Sequence, residues 1–449
     1  VGVILASLRV TRRPERETRE RRMSRILIRN AMVFDATGAD PYPADVLVEG
    51  NRIRAVATDL GTVDAIGSEV IDATGMTLMP GMVEGHSHPT FTGVSEPAQL
   101  GEIPPEEHLI MTIKNTRVML DHGFTSLFEA ASAKLRLGVV TRNAINAGDF
   151  IGPRMRAASP EITTTAGLGD ERRAHLYRES FALIADGVDE MRKVARLCMR
   201  EGVDNLKINV SGDDFVTHAK ASITPMSRAE IAVAVEVGHE FGKMLVAHSR
   251  SAESVKRCVE AGVDCIYHCD QSDEEALDML ERNKHKHYVG PAFGLLYNLM
   301  YEHEKIGITK EWLIERGFDK AFAVSCETYH QMRKRGIRVV IGGDYGFAFT
   351  PQGQNARDIS HFVRFFGYTP NEALQCATRV GADLMGLKGQ CGEVREGYLA
   401  DLLLVKGDVV ADVSLLQDKD NIAMVMTDGR LWKDPRRSIA REKLPLAAE

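Results

Sequence analysis

Apolar positions divide the chain into three textures. From Ile26 to Met79 they come in short bursts of β character: Ile26 to Phe34, Asp45 to Glu49, Arg52 to Val56, Val70-Ile71 and Met76 to Met79. Gly50-Asn51 turns the second burst into the third, and Gly75 punctuates the last. The C-terminal part has the same texture in Tyr398–Val405 and Met424–Trp432, with a turn at Asp428-Gly429. Neither end holds enough strands for a sheet that is stable alone. The pattern predicts one small β-sandwich domain built from both termini, residues 25–80 and 391–435.

Residues 81–390 alternate short apolar runs with helical segments. Strands are predicted at Thr125–Ala130, Met155–Ser159, Asn205–Val210, Met244–His248, Cys265–His268, Tyr288–Ala292 and Ile337–Gly343. Met191, Val194, Ala195 and Cys198 fall on one helical face. Ser227 to Glu230, Ser272 to Glu275 and Thr369 to Glu372 read as capping boxes that start helices. Repeated strand–helix alternation implies a parallel sheet. With the segment 77–85 the strands number eight, which suits a closed (β/α)8 TIM barrel, so the fold class is α/β.

Composition narrows the function classes. The 449 residues are 44% hydrophobic and 27% charged, with 56 basic and 63 acidic side chains and a formal charge of −7. That is a globular chain with ample core, and its mild acidity argues against nucleic-acid or anionic-membrane partners. No apolar run is long enough to span a membrane. The seven cysteines contain no C-x-x-C pair and form no disulfide framework, which points to a reducing cytoplasm. Val1 to Ser7 is apolar and an Arg-rich stretch follows it, the reverse of a secretory signal. Residues 1–24 are therefore read as an extension ahead of an initiator at Met23, and 436–449 as a tail.

Five of the barrel strands end in residues able to hold a metal. His86 and His88 end the first, and residues two apart on a strand face the same side. Lys207 lies in the apolar fourth strand, where a bare ammonium is costly to bury. A lysine carboxylated by carbon dioxide is instead an anionic carbamate able to bridge two cations. His248 ends the fifth strand, His268 the sixth and Asp344 the eighth. Singly, each has a bland explanation: a core histidine, a snorkelling lysine or a helix cap. One binuclear centre explains all five strand ends, with imidazole and oxygen donors suited to Zn²⁺, Co²⁺ or Mn²⁺.

The run Asp72-Ala-Thr-Gly-Met-Thr-Leu-Met-Pro-Gly-Met-Val-Glu-Gly-His-Ser-His88 resembles the metal-dependent amidohydrolase superfamily. So do Pro370 to Thr378 and Gly392 to Val405. The likeness spans about 26 to 432 and is nearest the imidazolonepropionase-like and prolidase-like branch, which neighbours the phenylurea and thiocarbamate hydrolases. It implies that His86, His88 and Asp344 hold the more buried metal, that His248 and His268 hold the second, and that carboxylated Lys207 bridges them. Asp344 would serve as general base and then general acid. The implied reaction is hydrolysis of an amide, urea or carbamate C–N bond by hydroxide that the two cations activate. Ser211-Gly-Asp-Asp214, Cys269 and Gly290-Pro-Ala-Phe293 depart from the dipeptidase-like pattern at the barrel mouth, which favours a phenylurea-type substrate.

A dipeptidase or N-acyl amino acid hydrolase is the close alternative. A mononuclear deaminase is disfavoured by Ser251, where such enzymes carry Glu, and a scaffold without metals by the complete ligand set. His218, Arg250, Tyr267, Tyr288 and Tyr345 are candidate contacts to a small-molecule substrate. His285 and His287 read as surface residues, and a homo-oligomer is expected.

Overall fold

The computed structural model describes residues 25–437 except 173, 176–179 and 217. The expectation for 1–24 and most of that for 436–449 lie outside the described residues. Five strands come first: β1 (Arg25–Val33), β2 (Tyr42–Glu49), β3 (Arg52–Ala57), β4 (Glu69–Asp72) and β5 (Met76–Pro80). Nine follow in the middle: β6 (Met82–Ser87), β7 (Phe124–Glu129), β8 (Arg154–Arg156), β9 (Ala158–Thr163), β10 (Leu183–Ile184), β11 (Asn205–Asn209), β12 (Met244–Ser251), β13 (Cys265–Gln271) and β14 (Tyr288–Gly290). Near the C-terminus come β15 (Leu402–Lys406), β16 (Ile422–Thr427) and β17 (Arg430–Lys433).

Both ends of the chain share one eight-stranded mixed sheet, in the order β17-β16-β15-β5-β1-β2-β3 with β4 also paired to β1. The seam is β5, antiparallel to β15 from Leu402↔Pro80 to Lys406↔Met76 and parallel to β1. The register of β1 against β2 shifts between Ile28 and Ala31, around Asn30 at φ 59°. That bulge lets β1 pair with β4 along its first half and β5 along its second. Ile28, Val46, Leu78, Leu402, Leu404 and Met424 pack into the core of this part.

The middle strands are parallel, in sheets ordered β10-β9-β11-β12-β13-β14 and β6-β7-β8. Helices alternate with them, among them Gly187–Arg200, Arg228–Glu240, Ala252–Ala261 and Glu274–Arg282. Gly187–Arg200 buries Met191, Ala195 and Cys198, the face anticipated from their spacing. Capping boxes form at Ser227 and Thr369. The third expected box does not, because Asp273 caps its helix and the Ser272 hydroxyl donates to the Cys269 carbonyl.

Three expected strands come out differently. Met155–Ser159 is broken at Ala157, where the Asp204 carboxylate takes the Ala157 N–H and separates β8 from β9. The seventh stops at Gly290, before Pro291, which has no N–H, and Ala292 at φ 51°. Residues 337–343 form no ladder and make one isolated bridge, Val339 to Val289. They nonetheless join both sheets. The Val289 N–H donates to the Arg338 carbonyl at 2.9 Å and the Gly85 N–H to the Ile341 carbonyl at 3.0 Å. No described helix is long and apolar enough to cross a membrane, and all seven cysteines are free.

Candidate metal centre

Strand register sets the levels of the site residues. Asn209 pairs with His248, and Ser249 with His268, so the two histidines stand near the same height on adjacent strands. Lys207 lies two residues below Asn209 on the same face. His86 lies within β6, with His88 just beyond it. Asp344 follows 337–343 at φ 62°, a left-handed turn that a non-glycine residue rarely adopts.

The six sequence-predicted ligands converge. His88 Nε2 lies 3.0 Å from Asp344 Oδ1 and His86 Nε2 lies 3.7 Å from the same oxygen. Ring centroids are 5.2 Å apart for His86 and His88, 5.6 Å for His86 and His268, and 4.1 Å for His248 and His268. Lys207 Nζ sits 4.8 Å over the Tyr267 ring, which stacks on His86 at 3.8 Å. The four imidazoles and Lys207 are buried, while the Asp344 side chain keeps 17% of its surface open.

Ring hydrogen bonds decide which nitrogens face inward. His88 Nδ1 donates to the Ala131 carbonyl at 3.0 Å, leaving the Nε2 lone pair toward Asp344. His248 Nε2 donates to the Gly212 carbonyl at 3.1 Å, leaving Nδ1 free. A carbonyl that fixes the tautomer is the usual support of a metal-ligating histidine. Buried His86 Nδ1 and His268 Nε2 have no hydrogen-bond partner among the described residues. No carboxylate among them comes within ion-pair distance of Lys207 Nζ. Such a set of buried donors fits divalent metal ions, and His86, His88 and Asp344 alone bring three ligand atoms within 4.8 Å.

Burial pushes His248 down to about 3 and His86 and His268 well below the usual imidazole value. All three are therefore neutral lone-pair donors at physiological pH. Burial also lowers the Lys207 amine, against the pull of Glu161 and Asp344. Burial alone would raise Asp344, but the positive charge of His86, His88 and Lys207, when those groups are protonated, holds its carboxyl below the usual range.

The substrate-contact candidates scatter. Arg250 is corrected from a substrate reader to an internal brace. It is 2% exposed, and its guanidinium donates to Asp213 Oδ2 at 2.9 Å and to both oxygens of Asp270. Tyr267 lies beneath the site, its hydroxyl donating to the Gly85 carbonyl at 2.7 Å. Tyr345 is buried and donates to Asp358 at 3.0 Å. Tyr288 stands at the start of β14, the end away from the ligands, under the Arg338 guanidinium at 3.9 Å. Among these candidates His218 alone is exposed, in a cleft of about 470 Å³ with Thr165, Asp170, Arg172 and Phe215. His287 is buried, with Nδ1 donating to the Val263 carbonyl at 2.5 Å, while His285 is exposed as read.

Sequence reasoning missed Glu161, which pairs in register with Lys207 and accepts from Asn209 Nδ2 at 2.7 Å. The available signal was Asn209 itself, two residues past Lys207 and on the same face.

The chain matches the amidohydrolase family over residues 77–432 and belongs to it. It is 25% identical over 338 residues to the ochratoxinase of Aspergillus niger, covering 70% of this chain and 67% of that protein. A Xaa-Pro dipeptidase solved with methionine in its active site is 25% identical at a TM-score of 0.79, covering 91% of this chain and 100% of that one. Phenylurea hydrolase B shares the fold at a TM-score of 0.72 and 21% identity, covering 91% and 96% of the two chains. The protein is a hydrolase of carbon–nitrogen bonds, in a family that is generally metal-dependent.

Proposed function

We propose that the chain is a binuclear amidohydrolase that cleaves the C–N bond of a neutral amide, urea or carbamate, with aryl ureas the favoured class. The observation that carries this is the convergence of His86, His88, Lys207, His248, His268 and Asp344, with the His88 and His248 tautomers set by backbone carbonyls. In this reading the parallel strands and residues 337–343 form one closed (β/α)8 barrel with the site at its C-terminal mouth. The hydrogen bonds of 337–343 to both β14 and β6 support closure. The sheet from the two chain ends forms the separate β domain.

His86, His88 and Asp344 would hold one ion, His248 and His268 the other, with Lys207 between them. Zinc suits the donors best, and cobalt or manganese would serve. Bound divalent ions supply Lewis acidity at the carbonyl and hydroxide at neutral pH. The Lys207 amine, its pKa lowered by burial, adds carbon dioxide: the nitrogen–carbon bond forms, one proton leaves and a carbamate results. Asp344, ionised and the most open of the six, takes the proton of the attacking water and delivers it to the leaving nitrogen. Amine departs, and a carbamic acid product loses carbon dioxide.

Burial of Arg250 between Asp213 and Asp270 favours ureas over N-acyl amino acids, because it takes away the arginine best placed to read a carboxylate. The dipeptidase-type reading keeps one support, the cleft with His218 and Arg172. Ser251 caps the helix Ala252–Ala261, so its position offers no carboxylate for deamination.

Lys207→Ala and Asp344→Asn are each expected to abolish turnover with an unchanged circular dichroism spectrum. Near-wild-type rates in either purified variant would overturn the binuclear reading. Products from a panel of aryl ureas, carbamates, N-acyl amino acids and dipeptides, identified by mass spectrometry, decide the substrate. Aryl amine release supports the urea reading, and amino acids alone support the dipeptidase-type one.

A further inference from the structure

A continuous file of aromatic rings leads away from the metal ligands. Phe91 stacks on His88 with centroids 4.1 Å apart and planes 8° from parallel. Phe347 lies 5.0 Å from Phe91, and Phe349 stacks on Phe347 at 5.3 Å. Phe215 then lies parallel to Phe349, at 5.9 Å and 6°.

The last contact has a topological meaning. Phe215 belongs to the loop after β11, and Phe349 to the loop after 337–343. Counting along hydrogen-bonded neighbours from 337–343, β11 is the fourth strand in either direction: through β6, β7 and β8/β9, or through β14, β13 and β12. Loops from opposite strands of a ring meet only over its centre. The Phe215–Phe349 pair therefore spans the opening above the ligands.

One side of this bridge is tied to ligand-bearing backbone. The Gln352 side chain donates to the His88 and Tyr345 carbonyls, both at 3.0 Å, and the Thr350 hydroxyl to the Asp344 carbonyl at 3.2 Å. Opposite, the Phe215 N–H donates to Asp213, which Arg250 grips from inside the fold. Phe215 is 36% exposed and also lines the 470 Å³ cleft, the size of a small-molecule site.

We infer that Phe215, Phe349 and Phe347 are the subsite for a planar aromatic group on the substrate. The ring enters from the cleft at Phe215 and lies along Phe349 and Phe347, leaving the C–N bond at the His88–Asp344 end. The direction of the reacting bond rests on the hydrolase reading above; the ring preference rests on the aromatic file. Stacked rings gain from matched quadrupoles beyond the area they bury, so a saturated ring of equal size is a poorer ligand.

The test is calorimetric titration of Asp344→Asn protein, which binds without turnover, using N-phenylurea and N-cyclohexylurea as probes. Phenylurea should bind about three- to tenfold more tightly. Phe349→Leu and Phe215→Leu should each bring the ratio near one, and Phe349→Tyr should restore it. Equal binding of the two probes, no binding of either, or a preference that survives both leucine variants overturns the inference. Turnover by the unsubstituted enzyme is scored separately. A protein that hydrolyses no urea yet shows the binding pattern refutes the urea reading alone.

Discussion

His248 shows how surroundings set the chemistry of one side chain. Burial and the nearby Lys207 and Arg250 cations push it to about 3, from an ordinary 6.5. The folded imidazole stays neutral between these values while the unfolded one takes up a proton. The stability it contributes is complete above about 6.5, and is lost as pH falls through the window down to about 3. His86 and His268 shift the same way, so their losses add. Lys207 is also lowered, and a lowered amine loses stability as pH falls, so it does not blunt this fall. The histidines' share of the melting temperature of metal-free protein should therefore drop from about pH 7 to pH 4, against the opposite trend from Glu84, Glu129 and Glu161, whose carboxyls burial raises. His248→Gln, which keeps a donor for the Gly212 carbonyl, should make that drop shallower. An equal slope in the variant, measured by thermal scans across the range, would refute the burial account.

At the scale of elements, the seam between 337–343 and β6 depends on absent side chains. A Cβ on Gly342 would stand 2.4 Å from His86 Cβ and 2.6 Å from its backbone nitrogen, and one on Gly85 would stand 2.8 Å from the Ile341 carbonyl oxygen. The two backbones approach too closely for anything but glycine. Gly342→Ala should therefore cost about 1–3 kcal/mol in urea unfolding and, by displacing His86, lower the metal bound per chain. Normal metal content would mean that the seam adjusts without moving the ligand. Sequence made the candidate cluster legible because each member lies in or just after an apolar run, and neighbouring parallel strands in register carry such residues to similar heights. It hid whatever depends on side-chain pairing between elements far apart in the chain. Arg250 meets Asp270 and Asp213 across 20 and 37 residues, and no periodicity marks either partner. Tyr288 was misplaced because an apolar run shows that a strand exists but not which of its ends a given ring occupies. Residues 337–343 read as a strand from their apolar pattern, yet Gly342 and Gly343 let them wedge between neighbours with one bridge instead of a ladder.

At the scale of the whole molecule, the two ends of the chain are locked to the middle at Asp401. Its carboxylate is fully buried and receives Arg154 Nε at 2.6 Å and Nη2 at 3.3 Å, and the same Nη2 reaches Asp428 at 2.8 Å. The Asp428 N–H and the Cys391 thiol also donate to Asp401, and the Asp401 carbonyl takes the Gly81 N–H at 2.8 Å, one residue before β6 begins. A strand of the middle region, the entry to β6 and the C-terminal strands thus meet on one acid. Arg154→Leu would strand that carboxylate without its cation, a loss of about 3 kcal/mol. Asp401→Asn in the same chain should recover part of it, since the remaining donors suit an amide oxygen as well. The double-mutant cycle should therefore show coupling in urea unfolding. If the sheet and the parallel strands fold as one cooperative unit, the single transition shifts whole. A new early transition confined to the sheet, with metal still bound afterwards, would show instead that the ends fold independently and that Asp401 joins two separable bodies.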